Sequence, residues 1–183
     1  MGGESAAHRD VPGVDVKAGP GPASPLFDPV DAAARAAAVT HAHGMRLIVA
    51  PGLNLTMVLD HGGQQPRWRK FLSLHLAGQL ARAADVIELQ AQSLERDAAA
   101  YASFVSTATS QAVAANPGVA VLAGLSTNPP GAPVDGQHLA AAIYATRSAV
   151  AGYWLNIPGP GARCPTCHNA RPDLAVQVLR RYR

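Results

Sequence analysis

The chain is poor in several residue types that folds and sites commonly lean on. Of its 183 residues only 5% are aromatic, 2 are cysteine and 12 are Asp or Glu. Two cysteines cannot build a disulfide-rich scaffold. Scarce aromatics leave the core to aliphatic side chains. Much of the 48% hydrophobic content is alanine. Each alanine buries little area, so the strands must supply most of the hydrophobic stabilisation. No apolar run reaches the roughly 18 residues of a membrane-spanning helix, and no membrane partner is expected. There is no Gly-x-Gly-x-x-Gly, no P-loop and no Gly-x-Ser-x-Gly elbow in the sequence. Dinucleotide binding, NTPase action and α/β-hydrolase chemistry therefore have no support.

The net charge of +3 is small, and part of its basic excess sits in Arg67, Arg69 and Lys70 and in Arg180-Arg181-Tyr182-Arg183. Nucleic-acid binding favours a basic stripe with stacking aromatics, which neither cluster provides. Both read as solvated helix surface, and no nucleic-acid partner is expected. The opening Met1-Gly-Gly-Glu-Ser-Ala-Ala-His-Arg9 has no hydrophobic stretch and does not read as a secretory signal. The chain as written is expected to be cytoplasmic, and secreted if its natural N-terminus lies further upstream. Residues 1–27, rich in Gly, Pro and Ala, are expected to form a flexible arm. Within them Val14-Asp-Val-Lys17 reads as a frayed strand.

What the chain does have is a recurring unit: a short apolar strand, a polar loop, then an Ala-rich helix. Strand segments begin at residues 45, 85, 119 and 152. They read Met45-Arg-Leu-Ile-Val-Ala-Pro51, Asp85-Val-Ile-Glu-Leu-Gln-Ala-Gln92, Val119-Ala-Val-Leu-Ala-Gly-Leu-Ser126 and Gly152-Tyr-Trp-Leu-Asn-Ile-Pro158. Strands alternating with helices at this spacing imply parallel strands joined by crossover helices. Apolar residues on both strand faces fit a buried parallel sheet. Helices are expected from Asp28-Pro29 to His43, from about 66 to 84, from Asp97 to Asn116, from Asp135 to near Val150, and from Asp173 to about Arg181. Asp is a favoured N-cap and Pro suits a first turn.

The fold class is thus α/β, a partial (β/α) barrel-like domain over 28–183. A closed eight-stranded barrel takes about 250 residues. An open doubly wound sheet, a partial barrel completed by pairing, and the C-terminal portion of a longer barrel remain as readings. The last is preferred, with the domain incomplete on its N-terminal side. An exposed strand edge would then invite self-association.

These four strand segments, with Leu122-Ala-Gly-Leu-Ser-Thr-Asn-Pro129 ending the third, resemble the strand ends of a glycoside-hydrolase-like (β/α) barrel of high-GC bacteria. The resemblance covers roughly 28–183. It implies a TIM-barrel relationship, further strands before residue 28 and a site at the strand carboxyl ends. No particular reaction comes with it.

Parallel α/β folds bind ligands where their strands end. The polar residues expected at that mouth are Asn54, Glu88, Gln90, Gln92, Ser126, Thr127, Asn128, Trp154 and Asn156. Amides donate and accept at once, and an indole face covers the apolar side of a pyranose. A small polar or sugar-like ligand is the expected partner, with Trp154 as stacking platform. The plainer assignment is that Gln90, Gln92 and Asn128 merely satisfy backbone groups at loop starts. Glycoside hydrolysis needs two carboxyl groups. Glu88 is the one carboxylate inside a strand, where burial raises its pKa and suits it to general-acid work. Its plainer role is a paired or barrel-lining structural group. Asp60 or Glu95 is the candidate partner. A non-catalytic barrel remnant or binding protein is the alternative to an enzyme.

Cys164-Pro-Thr-Cys167-His168 admits four readings: a c-type haem attachment pattern, a zinc half-site, a redox dithiol, or a loop staple. The staple is preferred, so no cofactor is expected. Zinc on Cys164, Cys167 and His168 is the alternative, and tetrahedral zinc would need a fourth ligand.

Overall fold

In the computed structural model, residues 13–14, 28–56, 65–129, 133–160 and 170–181 are described. Asp60, Cys164, Cys167 and His168 lie outside them, as does the whole 57–64 stretch between the first strand segment and the helix after it.

Among the described residues, five parallel strands form one sheet in chain order: β1 (Gly13–Val14), β2 (Ile48–Val49), β3 (Val86–Leu89), β4 (Ala120–Ser126) and β5 (Gly152–Asn156). Among the same residues six α-helices alternate with them: α1 (Pro29–Ala42), α2 (Arg67–Ser73), α3 (Leu76–Ala81), α4 (Ala98–Ala115), α5 (Gly136–Thr146) and α6 (Pro172–Arg181). An α/β domain of parallel strands alternating with helices is what the repeat spacing predicts. A doubly wound sheet reverses its strand order at a switch point. The unbroken order here does not, so that reading is set aside. Right-handed crossovers in an unbroken order put every helix on one face of the sheet.

Local chemistry sets the helix ends. Asp28 caps α1, its Oδ1 accepting from the Val30 and Asp31 amides, with Pro29 in the first turn. Gly44, at φ +66°, supplies the left-handed residue that turns the chain out of α1 toward β2. Asp97 caps α4 on the Ala99 and Ala100 amides, and Asp135 caps α5 in a reciprocal box with His138.

The helix expected over 66–84 is two helices. His75 takes a left-handed conformation (φ 52°, ψ 34°) between α2 and α3. Side chains reach the carbonyls beside the break: Gln111 Nε2 donates at 2.9 Å to Leu72 O, which also accepts the His75 amide, and Gln79 Nε2 donates to Leu74 O at 2.7 Å. The turn lets Phe71, Leu76 and Leu80 all reach the core. No Gly or Pro marks it.

The core lies between the helices and one face of the sheet. In-register residues Val49, Ile87 and Val121 bury there, followed by Leu89 and Ala123 and then Leu125. Phe104 of α4 packs edge-to-face on Phe71, ring centroids 5.4 Å apart. The opposite face carries Ile48, Val86, Glu88, Leu122, Gly124, Trp154, Ser126 and Asn156, because residues paired in a parallel register share a face. No helix among the described residues is long and apolar enough to cross a membrane.

Candidate functional site

The polar residues of the non-helical face gather toward the carboxyl ends of β3, β4 and β5. Glu88 is only 3% exposed although it lies on that face. Gly124 explains how. A Cβ added to Gly124 would fall well inside contact distance of Glu88 Oε1, 2.7 Å from Gln92 Nε2 and 2.7 Å from Leu89 O. The Glu88 carboxyl and Gln92 amide thus fill the space a side chain on β4 would take. Glu88 reaches over β4 toward the strand that carries Trp154, which pairs in register with Gly124. Gln92 Nε2 donates to Glu88 Oε1 at 3.4 Å, a long contact from the short 3₁₀ turn Gln92–Leu94.

A second carboxyl lies one residue pair further along. Glu95, 1% exposed, accepts the Ser126 amide on Oε1. Its Oε2 has no partner among the described residues. Burial pushes Glu95 up to about 9, against the downward pull of the Ser126 hydrogen bond, so the carboxyl holds its proton at neutral pH. Tyr101 of α4 completes the cluster by donating to Gly124 O at 3.1 Å. Its burial, and then the neighbouring Glu95, Tyr153 and Glu88, raise its phenol well above the usual range.

Ser126, Thr127 and Asn128 close the end of β4, all buried. Ser126 Oγ accepts the Asn128 amide at 3.1 Å, and the Thr127 amide donates to Asn156 O at 2.9 Å. The Asn128 side chain lies 3.5 Å from Pro158 O. On the last strand Trp154 is 47% exposed, and its indole N–H donates to Asn156 Oδ1 at 3.1 Å.

The structure therefore brings Glu88, Gln92, Ser126, Thr127 and Asn128 to adjoining strand ends, with Trp154 and Asn156 on the next strand. Gln90 forms a parallel bridge with Gly52 beside them. Asn54 stands in the exposed turn after β2, where Arg67 Nη1 donates to its Oδ1 at 2.6 Å. Of the two partners considered for Glu88, Glu95 lies at these strand ends. Tyr101 and Gly124 are the members that sequence reasoning did not identify. The signal for Tyr101 is a lone tyrosine inside an Ala- and Ser-rich helix, since a buried phenol needs an acceptor.

Chemically the cluster offers two carboxyl groups, one of them holding its proton, together with amides, hydroxyls and an exposed indole. Compared with known proteins, the sequence matches no family model and no curated protein.

Proposed function

We propose that this chain binds a carbohydrate-like, polyhydroxylated ligand at the carboxyl ends of β3, β4 and β5. The reading rests on one juxtaposition: Glu88 and Gln92 lie over bare Gly124, and the next strand presents Trp154 half-exposed beside it. Carboxyl and amide groups hydrogen-bond ring hydroxyls, while an indole face receives the C–H side of a sugar. A glycoside-hydrolase-like enzyme would draw its two carboxyl groups from Glu88 and Glu95. The burial of both carboxyls, at 3% and 1% exposure, favours a second reading in which the module binds without hydrolysing.

Assay of folded protein on a panel of chromogenic glycosides separates the two. For the enzyme, turnover of at least one glycoside is expected, and Glu88→Gln lowers kcat by at least about 100-fold, the scale of general-acid catalysis. Uniform inactivity accompanied by saturable binding of an oligosaccharide supports the binding module. Absence of both turnover and binding removes the carbohydrate reading.

A further inference from the structure

The last strand–helix unit is finished differently from the rest of the molecule. Of the eight large apolar side chains left exposed among the described residues, four belong to it: Trp154 on β5, Ile157 just after it, and Val176 and Leu179 on α6. β5 is also a rim of the sheet, with β4 on one side and no strand among the described residues on the other. The Thr127 amide donates to the Asn156 carbonyl, so the backbone of Asn156 faces β4 and that of Leu155, one residue back, faces the open side. A backbone edge of this kind is a template for another strand. Proteins that keep such a rim single blunt it with charge, yet residues 148–162 hold no charged side chain.

α6 carries the same exposure onto the helix layer. It packs against α5, and a Cβ added to Gly136 at the start of α5 would meet Gln177 Oε1 at 2.8 Å. Leu179, two residues on from Gln177, stands on the opposite side of the helix and faces away from α5, past the rim. Val176, nearly one turn before it, extends the same stripe. The stripe lies midway along α6, between Asp173 in the first turn, which Arg171 holds at 2.6 Å, and Arg180 and Arg181 in the last.

Strand and helix are self-complementary under one operation. A two-fold axis normal to the sheet lays a second β5 antiparallel against the first and leaves both helix layers on the same side. Centred on the middle residue of Gly152–Asn156, it sets Trp154 beside the partner's Trp154 and Gly152 beside its Asn156. The same axis runs α6 antiparallel to its copy over the seam. Leu179 then meets the partner's Val176, and Asp173 approaches the partner's Arg181. We propose that the open edge of β5, together with Val176 and Leu179 of α6, is a homodimer interface that joins two copies of this chain through one continuous sheet. A short strand and a single helix make it a small interface of the reversible kind. It stands independently of the carbohydrate reading, since the seam runs along the outer edge of β5 and leaves the indole on the sheet face.

Sedimentation velocity of the full chain from about 1 to about 100 µM, the span of modest affinities, is expected to show the 18.9 kDa chain converting reversibly to a species of twice that mass. Leu179→Lys buries a charge in the seam. The side chain is already 59% exposed, so the single chain folds as before while association weakens at least about 10-fold. Cross-linking reads the register. Trp154, two residues from Asn156, also turns its backbone to β4, so across the axis it forms a non-hydrogen-bonded antiparallel pair about 4.5 Å apart at Cα. With Cys164→Ser and Cys167→Ser removing the native thiols, Trp154→Cys is expected to give a covalent dimer on mild oxidation. Chains that stay monomeric throughout overturn the proposal, whatever else the edge accepts. Growth past two copies overturns it too, because β5 then pairs head-to-tail with another copy's β1. A dimer that Leu179→Lys leaves intact and Trp154→Cys does not cross-link sits on another surface and likewise refutes the seam.

Discussion

Two acids at opposite ends of the same sheet live in opposite circumstances. Asp85, just before β3, is answered twice over: its Oδ2 accepts the Leu47 amide at 2.7 Å and meets His41 Nε2 at 2.8 Å. Partial burial pulls its pKa upward, but the Leu47 and His41 interactions outweigh it and hold the carboxyl below the usual range. Glu95, beyond the end of β3, is answered once and buried, and its pKa rises. The first arrangement ties α1 and the segment leading into β2 to β3. The second keeps an unpaired oxygen at the end of the sheet where parallel α/β proteins place ligands. Stability chemistry and site chemistry are thus segregated along the strand axis, as in closed barrels, where the strand amino ends serve stability.

The sharpest way to break the contrast is Gly124→Ala. The added methyl meets Glu88, Gln92 and the Leu89 carbonyl, and the backbone atom cannot swing aside. A loss of about 3 kcal/mol is expected from overpacking, read as a lowered urea midpoint at unchanged slope. Unaltered stability would mean that Glu88 and Gln92 do not occupy this space.

Glu95→Gln sharpens it next. A carboxyl whose folded pKa lies above its unfolded one favours the fold fully below the unfolded value of 4.5, and this support drains away as pH rises to about 9. Wild-type stability should therefore decline across that window in divalent-free buffer, while the uncharged glutamine variant stays flat. At pH 7 the variant is expected to be more stable by about 3 kcal/mol, and near pH 4 the two should coincide. Parallel stability–pH curves would refute the assignment.

The smallest effect is expected at the answered end. Asp85→Asn should cost about 1 kcal/mol at pH 7, because the Leu47 amide exchanges a charged acceptor for a neutral one and the partly exposed His41 pair adds little. The sign is reversed here. A folded pKa below 3.8 gives stability that is present above that value and vanishes as pH falls through the folded value. Denaturation at pH 7 and pH 2.5 should show the difference between variant and wild type closing with acid.

Much of the architecture was written in local pattern. The strand segments starting at 45, 85, 119 and 152 each hold an observed strand, and Asp28, Asp97 and Asp135 mark helix starts because a capping carboxyl acts within three residues. The break at His75 was not legible, since it is braced by Gln111 and Gln79 donating to the carbonyls of Leu72 and Leu74 beside it. The strands are also shorter than their apolar runs; β2 keeps only Ile48–Val49 of its segment. At the candidate site, placing Glu88, Gln92, Ser126 and Asn128 at strand ends needed only the direction of the strands. The role of Gly124 was hidden, because a missing side chain speaks only once its cross-strand neighbour is known. Tyr101 was hidden for the same reason, its acceptor lying 23 residues away.

The unbroken order of β1 to β5 has one further consequence. Every strand borders only its chain neighbours, so the layout is modular: a strand–helix unit grafted onto or deleted from either rim leaves the pairing of all others untouched. Glu88, Glu95 and Ser126 belong to the β3 and β4 units, inside the rim strand β5 that carries Trp154. The architecture can therefore lengthen or shorten by whole units at the β1 rim while the site residues on β3, β4 and β5 keep their neighbours.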